Sequence, residues 1–464
     1  MYVKSKKILA IVVGIVLIMG LFILQFKRKG NEIVALYPKA EESFVGDPMP
    51  YYDGDEFAVY YLEDLRDGQI GFHPFSLMRT KDFLHYEDIG EVIPYVNEED
   101  SPEKALGTGS IIKDDKGEYH AFYTGHNGSL SPKEVIMHAT SKDGENWDKI
   151  PEDTFKGGEH YERDDFRDPY VFWNDEVQEY WMLITTRYEG KGVIAKYVSS
   201  DLKKWEDTGV FFENDMGNDS NLECPSLVYY DGKWILAFSD QWDQRVVHYR
   251  VAESSNGPFE DTEPQDDYFD GAGFYAGRLE TDGENLYAFG WIPTKEEHDD
   301  RFGYNWAGNL AVHQLHFKEG RLVPSLPKTA LDKRDITKLS TQTLSAGEKY
   351  ELEDAQNWIL SGELTEIAPD TQLILKFSEE NIVVLDFKNE QMSYHNQTLD
   401  RLSSNSMKST MPLPFSESVN LTIVKEGQIM VVYTDNHALS NRAYKSDGKG
   451  LTIEVLQGQV TFSE

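Results

Sequence analysis

The sequence predicts an all-β fold, and three observations carry that expectation. From about Tyr37 onward short apolar or alternating runs dominate, among them EFAVYYL, YHAFYTG, EYWMLITT, VIAKYVS, WILAFSD and LYAFGWI. They are rich in Tyr, Phe, Trp, Val and Ile, which fit a pleated, half-buried surface, and Gly, Asp and Asn turns such as YYDGDEF, KDDKGEY and YYDGKWI separate them. Helical periodicity is scarce.

A repeat gives these strands an architecture. TKDFLHYED places Asp82 four residues before Tyr86, SKDGENWDK places Asp143 four before Trp147, and SSDLKKWED places Asp201 four before Trp205. The repeated aspartates lie 61 and 58 residues apart, and SSNGPFED near Gly257 reads as a degraded fourth copy. A period of about 60 residues, with several short strands per unit, predicts a β-propeller with one unit per blade. The stretch from about Pro38 to Leu326 accommodates five blades. A tandem of unrelated hairpins with common turn chemistry is the alternative.

After PSLPKTALDKRD the rhythm fades, and QLILKFSEENIVVLDF, SVNLTIVKEGQIMVVYT and GLTIEVLQGQVTF are plain β alternation, suited to a sandwich. The expected organisation is a membrane segment over 1–30, a five-bladed propeller over 31–329 and a β-sandwich over 330–464. The first of these rests on ILAIVVGIVLIMGLFILQF, 19 residues from Ile8 to Phe26, between Lys4, Lys6, Lys7 and Lys27, Arg28, Lys29. That length spans a hydrocarbon core as a helix, and no small-residue cleavage site follows it. A transmembrane signal anchor at the cell membrane is therefore expected, with the catalytic body extracellular, or secreted if the anchor is cut.

Composition narrows the partners. With 45 Lys and Arg against 81 Asp and Glu, the formal charge is -36, which repels phosphate backbones and excludes nucleic acid as a natural partner. The single cysteine, Cys224, can form neither an internal disulfide nor a paired-thiol metal site. No cofactor and no metal site is expected. His73, His120 and His126 read as satisfied turn or core residues, and the acidic run EEHDDRF from Glu296 reads as a solvated loop.

Carboxylates are rarely buried without a partner or a task. Three here sit beside apolar strand residues: Asp47 in VGDPMPYY, Asp168 in DDFRDPYVFW and Glu223 in NLECPSLVYY. Taken singly, each Asp-Pro is a turn or the start of a strand, because proline cannot donate to a ladder. Together they fall early in three blade-length units, so a propeller can bring them to one end of its channel. Paired carboxyls flanking a sugar are the equipment for glycosidic cleavage.

The tripeptides GDP at 46–48, RDP at 167–169, ECP at 223–225 and FYA at 274–276, in this order and ahead of a β-sandwich, resemble glycoside hydrolase family 32, the β-fructosidases. The resemblance implies a retaining glycosidase that releases terminal β-linked fructose from sucrose, levan or inulin. It implies Asp47 as nucleophile, Glu223 as acid and base, and Asp168 as stabiliser of the oxocarbenium-like transition state. Arg167 would fix the Asp168 carboxylate and grip substrate, Asp270 with Tyr275 would contact sugar, and Trp291 would stack on a ring or line the pocket. Cys224 would be a small buried neighbour of the acid/base.

The chain departs from that family in two places. SFVGDPMPYYDG lacks the asparagine before the acid and the Asn-Gly after the proline, and LGTGS has Thr108 where the family has serine. These changes fall where amides would contact the fructosyl ring. A fructosyltransferase, a sister five-bladed glycosidase acting on arabinosyl or xylosyl units, and a non-catalytic carbohydrate-binding surface protein are the alternatives.

Overall fold

The computed structural model describes residues 30–65, 73–261 and 266–464. Its strands form six sheets, and among the described residues the α-helix is the single turn Lys328–Leu331. The fold is all-β, as expected.

Before residue 330 each sheet is an antiparallel meander. Ala105–Lys113, Tyr119–His126, Glu134–Ser141 and Trp147–Lys149 form one sheet of four strands. A second sheet of four runs from Phe166–Asn174 to Glu206–Glu213, and a sheet of three from Leu222–Tyr230 to Val247–Ala252. The remaining early strands form a nine-stranded sheet that is two meanders joined at one point. One meander begins at Phe44–Tyr52 and the other at Tyr275–Thr281, and the joint is the register pair Gly308 with Val45.

The first strands of these five meanders touch one another in a closed cycle. Phe44–Tyr52 contacts Ala105–Lys113, which contacts Phe166–Asn174, then Leu222–Tyr230, then Tyr275–Thr281, which returns to Phe44–Tyr52. Residues from five distant parts of the chain thus face a common axis.

The repeated aspartates shape the outer hairpins. Asp82 Oδ1 accepts the Leu84 and His85 amides, Asp143 Oδ1 those of Glu145 and Asn146, and Asp201 Oδ1 those of Lys203 and Lys204. Two residues earlier, the hydroxyls of Thr80, Ser141 and Ser199 each accept two more amides of the same turn. Each turn takes one residue into the left-handed region, Phe83, Gly144 and Leu202, and the polar side chains satisfy the amides it leaves unpaired.

From residue 337 onward two sheets, of seven and six strands, enclose an apolar layer of Leu360, Leu375, Leu385, Ile423, Val432 and Phe462. Alternation puts every second side chain into that layer. Another core joins early and late residues, including Phe289 and Leu310 with Ile359, Val431 and Tyr433. Asp300 corrects the reading of EEHDDRF as a solvated loop. It is buried, accepts the Tyr444 and Lys445 amides and Asn381 Nδ2, and lies 3.4 Å from Lys295 Nζ.

The membrane placement is also corrected. Among the described residues no helix is long and apolar enough to cross a membrane, so the anchor and the cell-membrane localisation are not supported. The Ile8–Phe26 stretch itself lies outside the described residues.

Candidate active site

Each of the five ring strands breaks its register near its start. The breaks fall between Gly46 and Met49, Gly107 and Gly109, Arg167 and Tyr170, Glu223 and Ser226, and Tyr275 and Arg278. Four carry a non-glycine residue at positive φ: Asp47 at 40°, Asp168 at 58°, Cys224 at 51° and Ala276 at 51°. Such conformations cost on the order of 1 kcal/mol or more each and persist where the surroundings fix them. A bulge leaves one residue unpaired and re-aims its neighbours. Pro48, Pro169 and Pro225 stand within three of these bulges, where a residue without an N–H loses no ladder bond. The charged Asp-Pro step at the mouth of a buried strand is thus a bulge that turns a carboxylate toward the axis.

Both Asp47 oxygens are held. Thr108 Oγ1 donates to Oδ2 at 2.8 Å, and the Trp291 indole N–H donates to Oδ1 at 3.2 Å. Burial raises the Asp47 pKa, the two donors pull it back, and the Glu223 charge adds to the rise. Asp168 is buried, and its Oδ2 accepts the Cys224 amide at 3.0 Å and lies 3.4 Å from Thr185 Oγ1. Burial pushes its carboxyl up to about 7, against the pull of Arg167 and with a push from Glu223 and Asp47. Glu223 accepts from Tyr275 OH at 2.7 Å on one oxygen and from Arg167 at 3.0 Å on the other. The three carboxylates expected to meet do so, near enough to perturb one another.

Arg167 is placed differently from the expectation. Its Nε is 4.0 Å from Asp168, whereas its terminal nitrogens bond Glu223 at 3.0 Å, Asp165 at 2.9 Å and Gln241 at 3.3 Å. It orients Glu223 more than Asp168, whose carboxylate accepts the Cys224 amide from the bulge of the neighbouring Leu222–Tyr230 strand. Tyr275 is at the site as expected. Trp291 is fully buried, edge-on to Tyr275 at 5.8 Å, with its N–H on Asp47. A wholly buried indole supports the carboxylate rather than offering a face to a sugar.

Asp270 is not brought to the three acids' hydrogen-bonding shell. Its carboxylate accepts from His313 Nε2 at 2.9 Å, from the Ser440 amide at 2.9 Å and from Ser440 Oγ at 2.5 Å, which ties the early strands to the late sheets. Cys224 is buried, and burial beside Asp168 and Asp47 raises its thiol pKa well above the ordinary value, so it is no thiolate nucleophile.

Two arginines at the centre escaped the sequence reading. Arg278 is buried and donates to the carbonyls of Gly109 and Asp168, and its charge lowers the pKa values of Asp47 and Asp168. Arg245 lies over Tyr275, Trp291 and Tyr304, 4.4 to 5.3 Å from their ring centres, and donates to the Ala272 carbonyl. The buried Arg278 and the partly buried Arg245 offset part of the charge of three acids. In the sequence, GRLE and DQRV carry no spacing that marks them.

Known proteins resemble this chain in sequence and in fold. The family described as the glycosyl hydrolases family 32 N-terminal domain matches residues 39–324. A levanbiose-producing levanase of Bacillus subtilis (strain 168) is 24% identical over 413 residues, 77% of this chain and 76% of the levanase. Among solved structures, exo-inulinase from Aspergillus awamori superposes with a TM-score of 0.75 at 18% identity, covering 92% of this chain and 96% of that one. Sucrose-6-phosphate hydrolase from Lactobacillus gasseri gives 0.72 at 19%, covering 94% and 93%. At these identities the structural likeness is one of fold.

Proposed function

The chain belongs to glycosyl hydrolase family 32, and from that membership we propose that it is a retaining β-fructosidase acting on sucrose or fructans by double displacement. The observation that carries this reading is the meeting of Asp47, Asp168 and Glu223 at three bulges of one ring, each with its carboxylate already oriented. Curated and structural relatives are named levanase, sucrose-6-phosphate hydrolase and exo-inulinase, which supports a fructosyl substrate.

In this reading Asp47, fixed by Thr108 and Trp291, attacks the anomeric carbon of the fructosyl unit and forms a covalent ester. Glu223 gives its proton to the departing glycosidic oxygen, then takes one from water as the water displaces Asp47. Asp168 receives fructose hydroxyls while the ring gains positive character. Arg167 and Tyr275 hold Glu223 in place between the two steps. The closed ring of five strands supports a five-bladed propeller over 31–329, and the two late sheets support a β-sandwich over 330–464.

The test is fructose release. The protein incubated with sucrose, levan and inulin frees fructose from at least one, and Asp47→Asn lowers the rate by about 10³-fold or more while the fold persists. Sugar binding without release, unchanged in Glu223→Gln, favours a non-catalytic carbohydrate-binding protein instead.

A further inference from the structure

At the far end of the Thr108 strand, the turn DDKGEYH brings three ligand-type side chains together. One ligand atom from each of Asp114, Glu118 and His120 lies within 4.8 Å of the other two. Acidic turns are common on surfaces, and this cluster alone would carry nothing. The state of His120 supplies a second observation.

His120 is 4% exposed, and its Nε2 is buried without a hydrogen-bond partner. That nitrogen faces Asp114 Oδ2 at 3.8 Å, too long for a hydrogen bond. Its proton state follows from the neighbouring groups. His138 Nδ1 lies 2.7 Å from Asp153 Oδ2, and a carboxylate accepts, so His138 carries its proton on Nδ1. His138 Nε2 is then a lone pair, and His120 Nδ1, 2.9 Å away, must donate to it. In this tautomer His120 Nε2 carries the lone pair, buried, without a hydrogen-bond partner and facing Asp114 Oδ2.

Asp114 is pre-oriented in the same sense. Its Oδ1 accepts the Lys116 and Glu118 amides at 2.9 and 2.8 Å, which leaves Oδ2 turned toward His120. Three ligand-type atoms converge, and the ring that supplies one is fixed by a histidine–carboxylate relay. Metal-bound imidazoles are held in this way, through their second nitrogen. The exposed Lys203 ammonium, close to both imidazoles, is an opposing charge on a flexible stem.

We propose that Asp114, Glu118 and His120 form a binding site for a divalent transition ion of the Zn²⁺ type. One imidazole and two carboxylates suit such an ion better than Ca²⁺, which takes six to eight oxygens. The unpartnered Nε2 corrects the reading of His120 as a satisfied residue, although it is buried in the core. Asp114 lies six residues along the chain from Thr108, about 20 Å at strand rise, so the ion braces the hairpin and takes no part in the reaction.

The test uses the full chain, stripped with a chelator and titrated with Zn²⁺ alone and, separately, Ca²⁺, by calorimetry and by melting temperature. One Zn²⁺ per chain binds and raises Tm, and the rate of fructose release stays the same. Asp114→Asn and His120→Gln each weaken that binding about 100-fold or more, and His138→Gln weakens it about 10- to 100-fold. Glu118→Gln, at the turn, provides a ligand variant outside the core should His120→Gln misfold. Absence of saturable Zn²⁺ binding overturns the proposal, as does binding unchanged in Asp114→Asn and Glu118→Gln, or a preference for Ca²⁺.

Discussion

Thr108 donates its hydroxyl to Asp47 Oδ2 at 2.8 Å, across 61 residues of sequence and between two neighbouring strands of the ring. The position where the family has serine thus keeps the hydroxyl, and it bonds the proposed nucleophile. Because that bond favours the charged carboxylate, its loss moves the Asp47 pKa further up. Thr108→Val is expected to shift the acid limb of the kcat/KM profile to higher pH, and Thr108→Ser to leave it in place. Rate profiles against pH for the two variants check this.

Tyr275 OH is one of two groups holding Glu223. A hydrogen bond to a charged group is worth about 1.5–3 kcal/mol, so Tyr275→Phe should lower kcat/KM roughly 10- to 100-fold. The melting temperature should change little, since the ring remains to fill its place against Trp291. Steady-state kinetics beside a thermal melt separates the two effects.

Asp168 is held at a cost in stability. Its folded pKa, pushed up to about 7, exceeds the value of about 3.9 for an unfolded aspartate, so the folded chain binds the extra proton in between. Stability from this group is full below about pH 4 and is lost as pH rises through about 7. Asp168→Asn removes that loss. It is expected to raise Tm at pH 7 relative to the parent and to flatten the decline between pH 4 and 7, while abolishing most activity. Melting curves across that range show it.

Asp270 joins the early strands to the late sheets through His313 and Ser440. Breaking a buried polar network of this kind costs about 3 kcal/mol or more. Asp270→Ala should therefore lower Tm markedly, and KM measured on the remaining folded protein should stay near that of the parent. A raised KM at unchanged stability would return Asp270 to the sugar.

Much of the ring was legible because its turn chemistry repeats. The aspartates at 82, 143 and 201 announce three outer hairpins, and the structure gives all three the same amide contacts. The Asp-Pro steps at 47 and 168 read singly as turns or strand starts, whereas the structure makes each a bulge within its strand, because that is where a residue without an N–H loses no ladder bond. The role of Arg278 was not legible, because a buried guanidinium that bonds two carbonyls depends on which backbones converge. Asp270 misled because Tyr275, five residues later, does reach the site, whereas the intervening loop sends Asp270 toward Ser440. His120 was read by itself, and its condition depends on His138 and Asp153, which only the hairpin register brings near.

The most direct test of the proposed chemistry is to trap the covalent intermediate. Glu223→Gln, which cannot activate water, is mixed with a β-fructofuranoside whose leaving group needs no protonation, quenched in acid, digested and analysed by mass spectrometry. A fructosyl ester on the peptide containing Asp47 is predicted. An adduct on another residue, or free fructose released at the parental rate with no adduct, would contradict Asp47 as nucleophile and Glu223 as its acid/base partner.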